Sequence, residues 1–211
     1  MNKLVKNKQN GKVGLADNCA TPDYAVTPLL QYIHSRFITP VIYESAAGEG
    51  YINNYLINYF TVIMGDIITG NNYFEREIIN YDVEITNPPF SLKYNWLTEA
   101  YSRNKPFCLL LPVETIGAEK AQRLFDKYGV QIMYMSRRVD FKMPHKKWCW
   151  IEDNPKSKRY GKLVHSSSQF PTAWFTWNMG LSKDIMFCDI SENKRKWRKE
   201  KELEFRTGVL L

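Results

Sequence analysis

Short apolar runs alternate with amphipathic stretches along most of the chain. Apolar runs predict strands at residues 41–45, 61–67, 81–87, 107–112, 131–136 and 172–178, with a weaker one at 184–190. Apolar residues spaced three and four apart predict helices at residues 21–37, 51–60, 92–104 and 117–129. Strands that alternate with helices pair mostly in parallel. The pattern therefore predicts an α/β fold with a mainly parallel sheet covered by helices on both faces.

Three of the predicted strands carry polar residues at their ends. Glu44 closes the first, Asp66 the second and Asn87 the third. In parallel sheets, ligands bind at the carboxyl ends of the strands, which lie along one edge. We therefore expect these three side chains to border one binding site.

The turn ESAAGEG (44–50) has glycines at positions 48 and 50 and leads into a predicted helix. Glycine lets a backbone approach a ligand closely, and a helix N-terminus offers unpaired N–H groups. The spacing differs from the dinucleotide-binding pattern G-x-G-x-x-G, because residue 53 is Asn. A ligand-binding turn and a simple strand-to-helix turn both fit this stretch.

The stretch NPPF (87–90) cannot continue a strand, because each proline lacks an N–H group and fixes φ. The two prolines instead predict a rigid turn that presents an amide and an aromatic ring.

The basic residues are clustered in patches. The chain has 211 residues, enough for one domain with a real core, and a net charge of +7. Residues 137–162 hold nine Lys and Arg against three acids, interleaved with Trp148, Trp150 and Tyr160. Residues 1–12 and 194–206 are also basic, either as part of a phosphate-binding surface or as solubilising tails. Cations mixed with aromatic rings favour nucleic acid as the partner of the central patch.

These patches suggest a division of the chain. We expect a basic flexible arm at 1–18, one catalytic domain at 19–190 and a basic C-terminal tail at 191–211. Within the domain, 139–169 is predicted to be a basic insertion that recognises nucleic acid. The N-terminus has no apolar segment of the secretory kind, so a cytoplasmic location is expected.

No metal site is proposed, because the cysteines and histidines are isolated in the sequence. The cysteines lack C-x-x-C spacing, and two of them, Cys108 and Cys188, lie in apolar runs typical of a core.

The order of E-x-x-x-G-x-G (44–50), a strand-ending Asp66 and N-P-P-F (87–90) resembles the S-adenosylmethionine-dependent amino-methyltransferases. It is most similar to the small phage-type N6-adenine DNA methyltransferases. The likeness covers roughly residues 20–180, including TPDYAVTP (21–28) and FPTAWFTW (170–177). It implies the class I, Rossmann-like methyltransferase fold with an antiparallel late strand, S-adenosylmethionine as cofactor, and double-stranded DNA as partner in a bacterial or phage-infected host cell.

The resemblance also implies roles for individual residues. The catalytic residues would be Asn87, Pro88, Pro89 and Phe90. The cofactor-binding residues would be Thr21, Pro22, Tyr24, Glu44, Ala46, Gly48, Gly50, Asp66, Ile67, Asn72 and Asn87. With the charge pattern, it predicts nucleic-acid contacts at Arg137, Arg138, Lys142, Lys146, Lys147, Lys158 and Arg159, and a second wall of the base pocket at Phe170.

The implied chemistry suits these residue types. The exocyclic amine of adenine is a poor nucleophile because its lone pair is delocalised into the ring. The Asn87 side-chain carbonyl and the Pro88 backbone carbonyl would accept its two N–H groups and favour a pyramidal nitrogen, while the prolines hold both acceptors in place. In duplex DNA the base must first be flipped, and Phe90 would replace part of the lost stacking.

The sequence departs from the family in two ways and leaves alternatives open. Asn71 and Asn72 stand where an acidic residue often contacts the cofactor adenine, and few residues are available to recognise bases, so short or relaxed specificity is expected. Methylation of RNA adenines or of protein glutamines fits the same N-P-P-F turn. A nucleic-acid-binding protein that keeps the fold but lacks catalysis is the third alternative.

Overall fold

The computed structural model describes residues 17, 19–75, 79–143 and 146–208. The arm predicted at 1–18 lies almost entirely outside the described residues. The α-helices are α1 Asp23–Val26, α2 Leu30–Arg36, α3 Tyr51–Leu56, α4 Lys93–Ser102, α5 Glu119–Tyr128 and α6 Ser191–Thr207. The strands are β1 Val41–Glu44, β2 Thr61–Met64, β3 Val83–Thr86, β4 Phe107–Pro112, β5 Gln131–Met135, β6 Cys149–Ile151, β7 Leu163–His165, β8 Thr172–Trp177 and β9 Ile185–Cys188.

Seven of these strands form one sheet in the order β2-β1-β3-β4-β8-β5-β9. Strand β8 is antiparallel to both of its neighbours, β4 and β5. The other neighbouring pairs of this sheet are parallel. The structure thus confirms a mainly parallel sheet with an antiparallel late strand.

The sheet separates two hydrophobic clusters because successive side chains of a strand point to opposite faces. In β4, Cys108 and Leu110 belong to the first cluster, whereas Leu109 and Leu111 belong to the second. Helices α1, α2, α3 and α6 contribute to the first cluster. Helices α4 and α5 contribute to the second, so helices cover both faces as predicted.

Strand β2 ends at Met64, so the predicted end at residue 67 is wrong. The side chain of Asp66 accepts a hydrogen bond from the Ile68 N–H (2.8 Å) and caps the 3₁₀ turn Ile67–Thr69. A capping aspartate favours this turn over a further pleated residue. Asp66 therefore lies just beyond the strand, in the loop at the sheet edge.

The helix predicted at 51–60 is also shorter than expected, since α3 ends at Leu56. The Asn58 side chain donates hydrogen bonds to the carbonyls of Asn54 and Tyr55 (2.9 and 3.0 Å). It thereby satisfies carbonyl groups that a longer helix would have bonded internally.

The C-terminal segment that the sequence marks only as a basic tail is the helix α6, and residues 209–211 lie outside the described residues. Trp197 of this helix is buried, with its ring centroid 5.3 Å from that of Tyr24 and 4.7 Å from that of Trp148. The insertion predicted at 139–169 contains the antiparallel hairpin β6–β7. None of the helices in the described part is long and apolar enough to cross a membrane.

Candidate active site at the carboxyl ends of the strands

The register of the parallel strands brings the predicted site residues to one edge of the sheet. Glu44 at the end of β1 pairs with Met64 at the end of β2, and β1 also pairs with β3. The loop that contains Asp66 and the turn that begins at Asn87 therefore lie on either side of the Glu44 turn. The NPPF motif continues into a 3₁₀ turn, Phe90–Leu92, with Pro88 buried behind it.

The glycine turn donates backbone hydrogen bonds to side chains on both sides of it, one in the loop after β2 and one at the end of β3. The Gly48 N–H donates to Asp66 Oδ2 (2.8 Å), and the Ala46 N–H donates to Thr86 Oγ1 (3.1 Å). Gly50 precedes α3 in the left-handed region at φ 76°, a conformation that favours glycine. The turn is therefore rigid, with its backbone close to the sheet edge.

Asp66 keeps hydrogen-bonding capacity although both of its oxygens are engaged. Each oxygen accepts one backbone N–H, from Gly48 or Ile68, and a carboxylate has about four acceptor positions. The remaining positions suit a pair of hydroxyl groups. Beside it, Ile67 exposes an apolar side chain, 57% accessible, that could cover a planar ring.

Asn72, predicted to contact a cofactor, closes a local turn. Its Oδ1 accepts from the Phe74 N–H (3.2 Å), and its Nδ2 donates to Glu75 (2.9 Å). Glu75 is an acid in this segment that sequence reasoning missed.

Glu44 is a buried carboxyl, and within the described part of the chain its Oε2 has no hydrogen-bond partner. Burial raises the pKa of Glu44 to about 8, and the charge of Asp66 adds to the increase, while a hydrogen bond from the Asn53 N–H opposes it. An unpartnered carboxyl oxygen at this edge is a ready partner for a cationic group on a ligand.

Asn87 is held through its amino group. Its Nδ2 donates to the Cys19 carbonyl (3.2 Å) and to Thr21 Oγ1 (3.1 Å). Its Oδ1 is buried and has no hydrogen-bond partner among the described residues. Because buried acceptors are normally satisfied, this oxygen is a candidate position for a ligand donor.

Three phenylalanines meet beside Asn87. The ring centroid of Phe90 lies 5.6 Å from that of Phe170 and 6.1 Å from that of Phe141, both in edge-to-face arrangements. The structure thus brings the two predicted pocket walls together. Sequence reasoning missed Phe141. A single aromatic residue in a basic segment gives no indication that it lies beside Phe90.

The predicted N-terminal residues contact different parts of the structure. Thr21 lies against Asn87, and Pro22 is buried at the start of α1. Tyr24 lies in the core, where its hydroxyl accepts the Asp140 N–H (2.7 Å) and its ring packs on Trp197.

A buried acid beneath the glycine turn also escaped sequence reasoning. Glu84 of β3 accepts hydrogen bonds from Ser45, Tyr73 (2.8 Å) and Trp96 (3.2 Å). Burial raises the pKa of Glu84, and these hydrogen bonds oppose the increase. These contacts connect the glycine turn, the segment after Asp66 and the helix after NPPF. The position of Glu84 within an otherwise apolar strand was the sequence signal that could have identified it.

Most of the predicted nucleic-acid contacts are exposed cations. Arg137 and Arg138 follow β5, and Arg137 donates to Ser191 of α6 (3.1 Å). Lys147 lies over the Phe205 ring, 5.6 Å from its centroid. The exposed Lys and Arg residues on and around the hairpin that form no ion pair within the described part of the chain are Lys146, Lys147, Lys156, Lys158, Arg159 and Lys162.

Lys142 differs from these cations because it faces the glycine turn. Its Nζ lies 2.8 Å from Glu49 and 4.8 Å from the centroid of the Tyr51 ring. The structure therefore places it beside the glycine turn at the candidate cofactor edge.

No family model matches the chain, and no curated protein matches it. Similar solved structures include a protein from Pyrococcus horikoshii described as a "putative RNA methyltransferase" (15% identity, 84% of this chain and 98% of that chain, TM-score 0.41). Another is a "putative class I S-adenosylmethionine-dependent methyltransferase" from Listeria monocytogenes (13% identity, 95% and 75%, TM-score 0.49). A third is a "putative methyltransferase" from Thermoplasma acidophilum (13% identity, 81% and 68%, TM-score 0.31).

The strand order of this chain defines its fold. The parallel strands β2-β1-β3-β4, followed by the antiparallel β8 beside β5, form the class I, Rossmann-like methyltransferase fold.

Proposed function

We propose that the protein transfers a methyl group from S-adenosylmethionine to the exocyclic N6 amine of adenine in double-stranded DNA. The observation that carries this proposal is the Asn87 amide, with both N–H groups directed to acceptors of the chain and its buried oxygen without a partner in the described ranges. An N–H group of a ligand is the partner that such an oxygen lacks.

The residues at the sheet edge fit the proposed cofactor. Glu44 has an unpartnered oxygen suited to the ammonium group, and Asp66 has acceptor positions suited to the ribose hydroxyls. Ile67 offers an exposed apolar side chain for the adenine ring. When bound, S-adenosylmethionine supplies an electrophilic methyl group on its sulfonium centre.

The chain's own residues prepare the target amine. Asn87 Oδ1 accepts one N–H of the amine and the Pro88 carbonyl accepts the other. Both contacts draw the nitrogen lone pair out of conjugation with the ring. The proton that the nitrogen gives up on methylation leaves to solvent.

The three phenylalanines support a planar target. Phe90 stacks on the flipped base, with Phe141 and Phe170 as further walls. Because Oδ1 is buried, neighbouring side chains must move before a base reaches it. Phe170 is the candidate for this movement, because it is 37% exposed and lies in the loop before β8.

The charge distribution favours nucleic acid over protein as the substrate but does not distinguish DNA from RNA. DNA is favoured by the likeness of the motifs stated above. The alternative of an inactive nucleic-acid-binding protein is disfavoured because two oxygens without a partner among the described residues, Glu44 Oε2 and Asn87 Oδ1, lie at the same sheet edge as the glycine turn and the NPPF turn.

The test uses the purified full chain, methyl-labelled S-adenosylmethionine, and unmethylated duplex DNA, single-stranded RNA and bulk protein as separate acceptors. We expect N6-methyladenine in the DNA, identified after digestion to nucleosides. Asn87→Ala should abolish transfer, whereas Asn95→Ala, an exposed position on α4, should keep it. Transfer to RNA alone would show that RNA, and not DNA, is the substrate. Cofactor binding without transfer to any acceptor would overturn the proposal.

A further inference from the structure

The direction of the Asn87 amide is determined by its neighbours. A backbone carbonyl can only accept a hydrogen bond, so the side of the amide that faces the Cys19 carbonyl at 3.2 Å must be the amino side. The oxygen then points away from residues 19–21, to a position where none of the described residues is its partner.

These two acceptors are held firmly before any ligand binds. The Ala20 N–H donates to the Lys142 carbonyl (2.9 Å), and the Lys142 N–H donates back to the Ala20 carbonyl (3.1 Å). The Thr21 side chain is itself buried, with 2% of the residue exposed. A buried hydroxyl between two fixed segments has little freedom to turn away from Asn87.

We propose that Thr21, with the Cys19 carbonyl, is a positioning element that orients the Asn87 oxygen for the target amine. This inference rests on the proposed function and assigns the Thr21 hydroxyl to Asn87 in place of the cofactor contact that the resemblance implies. It also explains why the chain has Asn and not Asp at position 87. An ionised Asp would place a carboxylate oxygen where the amino group now meets the Cys19 carbonyl, and two acceptors repel each other.

The test compares Thr21→Val, which removes the hydroxyl at nearly constant shape, with Thr21→Ser, which keeps it. Methyl transfer is measured at saturating cofactor, and the cofactor Kd is measured by calorimetry. We expect Thr21→Val to lower the transfer rate about five- to tenfold, as the loss of one hydrogen bond predicts. Thr21→Ser should stay within about twofold of the wild type, and neither variant should change the cofactor Kd by more than about twofold.

The inference is overturned if both variants lose activity equally, or if Thr21→Val weakens cofactor binding while the saturating rate is unchanged. The first result would indicate a purely structural role, and the second a cofactor contact alone. Failure of the wild type to methylate any acceptor would overturn the proposed function as well. Normal transfer by Thr21→Val, with Asn87→Ala inactive, would overturn this inference alone.

Asn87→Asp provides a second test that does not depend on the folding of the Thr21 variants. We expect its transfer rate to be at least about 100-fold below wild type at neutral pH, because an unpaired buried charge is costly. The rate relative to wild type should rise as the pH falls, since a protonated Asp can donate to the Cys19 carbonyl. A wild-type rate at neutral pH, or no relative gain at low pH, would contradict the proposed orientation.

Discussion

The carboxylate of Asp140 is held by the guanidinium group of Arg198, with Nε 2.7 Å from Oδ2 and Nη2 2.9 Å from Oδ1. Lys194 adds a third contact to the same carboxylate at 2.8 Å. Asp140 is completely buried, and its hydrogen bond raises the pKa of Arg198. These contacts attach α6 to the segment that carries Phe141.

Asp140→Asn should lower the free energy of unfolding by about 3 kcal/mol, because it leaves two cations without their buried partner. Chemical denaturation measures the change. The matched control is Lys196→Gln, which breaks the exposed pair with Glu192 on the same helix and should cost less than about 0.5 kcal/mol. Equal losses in the two variants would show that the buried pair is not a main attachment of α6.

Gly65→Ala should destabilise the turn after β2. A Cβ at this position would lie 2.5 Å from the Tyr43 hydroxyl oxygen and 2.9 Å from a ring carbon. Overpacking of this kind costs about 1–3 kcal/mol. Denaturation should show this loss, with partial recovery in the double variant that also carries Tyr43→Phe.

Gly117→Ala is the control for this prediction, because a Cβ there would meet nothing within 4 Å. It should change the unfolding free energy much less than Gly65→Ala does. Equal effects, or no recovery with Tyr43→Phe, would exclude the close approach as the cause.

The stability of the ligand-free protein should fall as the pH rises from about 5 to about 8. Folded Glu44 keeps its proton up to a pKa of about 8, whereas the unfolded carboxyl ionises near its ordinary value of 4.5. The native state therefore binds more protons in this range, and the unfolding free energy must decrease as the pH increases. Because a pKa difference of one corresponds to about 1.4 kcal/mol, the effect should be measurable by denaturation at several pH values.

Glu44→Gln removes the titrating group and keeps the shape of the side chain. Its unfolding free energy should depend less on pH than that of the wild type across the same interval. Parallel pH profiles for the two proteins would show that Glu44 does not control this dependence.

The double variant Lys158→Gln/Arg159→Gln should weaken DNA binding and reduce its dependence on salt. If both side chains contact phosphates, the slope of log K against log salt should fall by about 1.8. Titrations by fluorescence anisotropy at several salt concentrations measure this slope. The control, Lys120→Gln/Arg123→Gln, removes two exposed cations of α5 on the opposite face of the sheet. An unchanged slope in the hairpin variant would exclude these two cations from the interface.

The sequence by itself determined the approximate positions of the seven strands of the main sheet, the rigid NPPF turn, and the polar residues at or just beyond three strand ends, but it did not indicate the hairpin β6–β7. These features depend on interactions within a few residues: apolar runs form buried strands, and proline stops a strand by its own geometry. Parallel pairing then brings the ends of the strands to one edge of the sheet.

Only the tertiary structure decided which atom of Asn87 is available, because its two partners, Cys19 and Thr21, lie 68 and 66 residues away in the chain. Only the tertiary structure also shows that Phe141 contacts Phe90, because the course of the segment after β5 brings the two rings together. Helix α6 looks like a basic tail in sequence because the partner of its cations, Asp140, is 58 residues distant from Arg198. Such contacts depend on how separate elements pack together, and local sequence patterns do not predict that packing.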